Sequence, residues 1–216
     1  MSGPKTIQGE VHDEECYYTM EGISGHAGLF ANATDLAKLA SVMISGGYGN
    51  NAYFTKNTRD LSIAPQVGGQ PNYGIGWWRE ADDKRVWYFG TQSPESTIGH
   101  QGWTGTLSMI DFENNMVVVF LTNSINTPIF EPTCIENANQ FTGQYYTSST
   151  LGFVMQILYT GINNSESPDK ALESLIKDMV NEKCKIIDKA EEDFGKTLSE
   201  DHPLKLALKA LCEASE

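Results

Sequence analysis

The sequence predicts an α/β (α+β) protein in which an antiparallel sheet is flanked by helices. Three observations lead there. Between residues 73 and 123 apolar and aromatic residues recur with a period of two; residues 32–45 and the stretch beyond 164 carry a helical period; and 216 residues suffice for one large domain, or for one domain with an appendage. Beyond Asn163-Asn164 the composition turns rich in Lys, Glu and Asp, which sets the expected boundary: a body over 1–163 and a charged, amphipathic helical tail over 164–216.

Residues 1–24 show no sustained period and read as an irregular lead-in. Asn32, with Asp35 three positions on, has the spacing of a capping box; Leu36, Leu39, Ala40 and Met43 then share one helical face before Gly46-Gly47 stops the helix. A second, shorter helix is expected from Thr55 through Leu61, ahead of Pro65. The period of two begins at Tyr73. YGIGWWRE, VWYFG, STIGHQGWTGTLSMIDF and MVVVFLTN read as successive strands of a meander, with Glu113-Asn114-Asn115 as a turn. MVVVFL is apolar on both faces and is expected to be a central strand. Trp77, Trp78, Trp87 and Tyr88 are expected to pack in the core and on the sheet faces.

After the breaks at Pro128 and Pro132, residues 146–161 are expected to form a helix over the sheet, weakened by Gly152. The tail places Leu172, Leu175, Ile176, Met179, Ile186, Ile187, Ala190 and Phe194 on one face of an amphipathic helix, and a last helix follows over 203–211.

The formal net charge is -13, and no run of Lys or Arg offsets it locally. Such a balance repels phosphate backbones, so nucleic acid is an unsuitable partner. No stretch approaches the roughly 18 consecutive apolar residues of a membrane span, and Met1-Ser2-Gly3-Pro4 lacks the pattern of an export signal. Cys16, Cys134, Cys184 and Cys212 are far apart and form no CxxC pair, which favours free structural thiols.

The segment GHQGWTGT, residues 99–106, sets a histidine and three glycines inside a hairpin. Glycine in a strand lets another backbone approach, so the stretch is either a ligand-facing edge or a bulge in a twisted sheet. His12, Asp13, Glu14 and His26 fit no helix-borne ligand pattern, and no metal site is expected from them.

The ordered series GEVHDEE (9–15), GISGHAGLFANATDLAKLASVMISGG (22–47), YGIGWW (73–78), GHQGWTGT (99–106) and IDFENNMVVVFLTN (110–123) resembles the second half of serine β-lactamase-like proteins. Within that superfamily it is most similar to the branch of penicillin-binding proteins, class C β-lactamases and related esterases. The likeness covers roughly residues 9 to 160 and implies the sheet-rich C-terminal half of a β-lactamase/DD-peptidase-like fold. Such enzymes join a Ser-x-x-Lys nucleophile motif, a Tyr-x-Asn loop and a Lys-Thr-Gly or His-x-Gly strand at one cleft. Serine needs a neighbouring base, and the tetrahedral intermediate needs two preorganised N–H donors.

By this resemblance His100-Gln101-Gly102 is the third motif. His100 would hold the electropositive side of the cleft and relay protons, the backbone N–H of Trp103 would be an oxyanion donor, and Gln101, Gly102 and Thr104 would meet the substrate. The stretches around His12 and His26 would be supporting turns beside the cleft. No cofactor is implied.

The other two motifs are not matched in usable form. In Ser2-Gly3-Pro4-Lys5 the Gly and Pro prevent the helical turn that would join serine to lysine, Ser174-Leu175-Ile176-Lys177 lies in the tail, and Tyr48-Gly49-Asn50 directly follows a helix stop. The expectation is therefore a fragment of a serine hydrolase for a β-lactam, a D-Ala-D-Ala peptide or an ester. It would be inactive alone, lacking an N-terminal half whose absence would favour a homodimer. The parent would be extracytoplasmic. The alternative is a non-catalytic module that binds a ligand or partner along the same edge.

Overall fold

The computed structural model describes residues 7–65, 72–81, 85–129, 141, 143, 151–183, 199–202, 205, 206 and 209. Helix α1 (Ala33–Ser45) begins as its sequence dictates. Asn32 Oδ1 accepts from the Asp35 N–H at 2.9 Å while Asn32 Nδ2 donates to Asp35 Oδ2, and Gly46 closes the helix at a φ of 77°. A small hairpin of β1 (Gly47–Tyr48) and β2 (Asn51–Ala52) follows, then α2 (Lys56–Ile63), capped by the Thr55 hydroxyl.

The main sheet holds β3 (Trp78–Arg79), β4 (Ile98–Gln101), β5 (Leu107–Asp111) and β6 (Met116–Phe120) in that spatial order, antiparallel throughout. Alternation along β5 decides the layers. Leu107 and Met109 face α3 (Val86–Phe89) and α4 (Leu151–Asn163), forming a cluster with Phe89, Leu151, Met155 and Tyr159; Ile110, with Ile98 of β4, packs against Ala40 on α1. Helix α5 (Pro168–Lys183) packs on α4, with Met179 buried.

Several expectations change. Residues 86–90 are not a strand: Val86–Phe89 form one helical turn, because packing against α4 overrides the β preference of Val, Trp, Tyr and Phe. Gly152 makes that packing possible, since a Cβ there would meet Trp87 C and O at 2.8 Å. YGIGWWRE yields only the two residues of β3. Gly74 N–H donates to Trp77 O at 2.9 Å and Tyr73 bridges to Trp78, so the first part is a turn.

β6 is covered by α1 on one face and by the Phe89 cluster on the other, yet among the described residues it lies at the sheet margin rather than its centre. Leu39 is 63% exposed, because Ala40, Met43 and Ile44 make the contact with the sheet. Trp77, Trp78 and Tyr88 pack as expected, but Trp87 is 62% exposed. The lead-in contains one turn of π-helix, Glu15–Thr19, whose Cys16 is a buried free thiol. Cys134, Cys184, Cys212, Pro132, the start of the 146–161 helix, the face from Ile186 to Phe194 and most of 203–211 lie outside the described residues.

Candidate functional site

The stretch 99–106 is a hairpin with a three-residue loop. Gly102 N–H donates to Thr106 O at 2.9 Å and Gly105 N–H to Gly102 O at 3.0 Å, with Gly105 at a φ of 105°, the left-handed third position this loop requires. A side chain at Gly102 would collide with the Thr106 hydroxyl, so this glycine has a reason inside the hairpin as well as any it has toward a ligand. Ser124 anchors the loop, its N–H reaching Thr104 O at 2.8 Å and its hydroxyl the same oxygen at 3.1 Å.

Ladder alternation then fixes where β4 is open. Gly102 bonds toward β5, as does His100; Gly99 and Gln101 therefore point the other way, toward β3. β3 pairs with β4 only at Ile98 and Gly99. Past that point the Gln101 N–H and C=O face outward from the sheet, and the Trp103 N–H is engaged by no described residue. Among the described residues half of the strand is thus an unpaired edge, and the Gln101 N–H is a donor that the sequence alone did not single out.

His100 is exposed, and its Nδ1 lies 2.7 Å from the Gln101 carbonyl oxygen. A carbonyl only accepts, so Nδ1 carries the hydrogen and Nε2 of the neutral ring is left as an acceptor. The imidazole lies 4.5 Å from the Trp78 indole. His12 stacks on Trp103 with ring centroids 5.3 Å apart and 23° between planes, which brings the lead-in to the hairpin tip.

Behind it, Asp13 Oδ1 accepts from the Cys16 N–H at 2.8 Å and lies 3.1 Å from His26 Nε2. These contacts, the Cys16 N–H foremost and then His26, hold the Asp13 carboxyl below the usual carboxylate value. So the His12 and His26 stretches are tied to each other and to the tip of the predicted motif.

The decoy motifs stay apart from this edge. Ser174 and Lys177 sit exposed on α5, Tyr48 lies on the separate β1–β2 hairpin, and Ser2 and Lys5 are outside the described residues. A cavity of about 130 Å³ at the end of α1, lined by Ile44, Phe54, Lys56 and Arg59, is also elsewhere, and both its cations pair with Asp60. Among the described residues no cluster of three His, Cys, Asp or Glu could hold a metal ion, and no helix is long and apolar enough to cross a membrane.

Comparison with known proteins gives a consistent answer. The family model described as Beta-lactamase matches residues 2–137. The chain is 43% identical over 155 residues to the "N-acetylmuramyl-L-alanine amidase" of Bacillus subtilis, covering 71% of this chain and 34% of that protein. It is 36% identical over 158 residues to the "Putative D-alanyl-D-alanine carboxypeptidase" of Escherichia coli K12, covering 73% and 36%. A protein of the same name from Salmonella gallinarum is 37% identical over 158 residues, covering 71% and 35%. The chain therefore spans about a third of the length of the curated relatives it matches. No solved structure matches it significantly.

Proposed function

This chain belongs to the Beta-lactamase family of serine hydrolases, and from that premise we propose that it contributes the substrate-edge strand of an acyl-serine site acting on peptides of the D-Ala-D-Ala type. The observation that carries the reading is the half of β4 left open among the described residues, where the Gln101 N–H faces outward and the Trp103 N–H is engaged by no described residue, beside the exposed His100. An extended peptide can pair along such an edge. The Trp103 N–H is suited to an oxyanion, while Gln101, Gly102 and Thr104 line the approach.

In the reaction a serine oxygen attacks the peptide carbonyl carbon, the C–N bond breaks and the departing amine takes a proton; water then opens the acyl-serine ester to give the acid. His100 Nε2, left as an acceptor, is suited to take the serine proton and pass it to that amine. In this reading the nucleophile comes from another part of the protein: Ser174 lies on α5 rather than on this edge, and Ser2-x-x-Lys5 contains Gly and Pro. Ile23 at 86% exposure, Leu29 at 75% and Phe30 at 64% offer an apolar surface for the nucleophile-bearing part.

Incubation of the chain with a fluorescent penicillin tests this division of labour. No covalent label is expected on the chain by itself, and labelling that survives denaturation would overturn it.

A further inference from the structure

A single indole joins β4 to the turn ahead of α3. Trp78 stands opposite Gly99 in the β3–β4 ladder, its ring lies 4.5 Å from the His100 imidazole at 34°, and the Arg85 guanidinium sits 4.3 Å from the centroid of the same indole. Arg85 also lies 4.8 Å over the Tyr73 ring. Its Nε and Nη2 are buried and make no hydrogen bond among the described residues, so aromatic faces rather than a carboxylate hold this cation. Nothing in the resemblance or in the sequence spacing assigns this residue a part in the site.

We propose that Trp78 and Arg85 are positioning residues for His100. An exposed histidine on a strand edge has several rotamers and two neutral tautomers available. The 2.7 Å bond from Nδ1–H to Gln101 O selects one tautomer, but it persists only while the ring stays in one orientation. Trp78 supplies that restraint by closing one side of the imidazole. Arg85, clamped with Tyr73, keeps the indole from rotating, since a guanidinium on an aromatic face is attracted to the ring and desolvated there. The consequence is one ring orientation and one tautomer, with Nε2 left as the acceptor, the state a proton relay on β4 requires. This inference rests on the reading of β4 as the substrate edge, but the arrangement itself is testable without any catalytic activity.

The experiment is nitrogen-15 NMR of the histidine rings in the full chain near pH 9, where an ordinary imidazole with a pKa of about 6.5 is neutral. The wild-type chain is expected to show a His100 ring protonated predominantly at Nδ1. Trp78→Ala and Arg85→Ala are each expected to abolish that predominance, giving averaged nitrogen shifts, whereas Trp78→Phe and Arg85→Lys retain it. Because Trp78 also packs against the Phe89 cluster, Arg85→Ala carries the decision if Trp78→Ala loses its dispersed amide spectrum. An unchanged His100 signature in folded Arg85→Ala, or an Nε2-protonated ring in the wild type, would overturn the proposal. Failure of the chain to bind a peptide would instead count against the edge reading and leave the stack standing.

Discussion

The Tyr159 hydroxyl donates to Asp111 Oδ2 at 2.7 Å, binding helix α4 to the turn that closes β5 and β6. The same carboxylate accepts from the Glu113 and Asn114 N–H groups and from Asn114 Nδ2, so one buried acid organises both the turn and the helix above it. Tyr159→Phe is expected to cost about 1.5 kcal/mol in urea unfolding, the lower range for a bond to a charged group, because three donors remain on Asp111. Burial, and then Asp111, push the Tyr159 hydroxyl well above its ordinary value of 10.0. The folded state thus keeps a proton that the unfolded chain loses, and the contribution is present below pH 10 and declines above it. A stability profile from pH 9 to 11 should fall for the wild type and fall less for Tyr159→Phe.

Gly152 is the point at which α4 touches the backbone of α3. Alanine there gains about 1 kcal/mol of helix propensity but sets a methyl against Trp87 C and O. Overpacking of this kind costs about 1–3 kcal/mol, so Gly152→Ala is expected to be net destabilising in equilibrium unfolding, despite lying in a helix.

Asp13 offers a check on the joined His12 and His26 stretches. Its carboxyl should titrate below the ordinary 3.8, with stability present above that value and lost as pH falls through the lowered one. Carbon-13 titration of the Asp13 carboxyl should show His26→Ala moving the midpoint only partway back, since the Cys16 N–H is the larger cause.

What the sequence made legible follows the range of the interactions involved. The Asn32–Asp35 cap, the Gly46 stop, the helix start near Thr55 and the turn at 113–115 are set within a few residues, and the structure realises each of them. The 86–90 segment was illegible because its conformation depends on α4, more than sixty residues downstream. Leu39 misled because the helical stripe it belongs to is wider than the face that meets the sheet.

At the candidate site the hairpin over residues 99–106 was readable. The Arg85–Trp78–His100 contact was not, since it joins residues from a turn, a two-residue strand and β4 with no common period. The open half of β4 emerged only when the ladder showed β3 ending at Trp78 opposite Gly99.

The central claim is that this open half receives an acyl substrate. Titrating the nitrogen-15-labelled chain with a peptide ending in D-Ala-D-Ala, while following every backbone amide, tests it most directly. The account predicts saturable shifts concentrated at Gln101, Gly102, Trp103 and Thr104, weakened when the terminal residues are L-Ala. Shifts centred on another surface, or equal responses to both peptides, would contradict it.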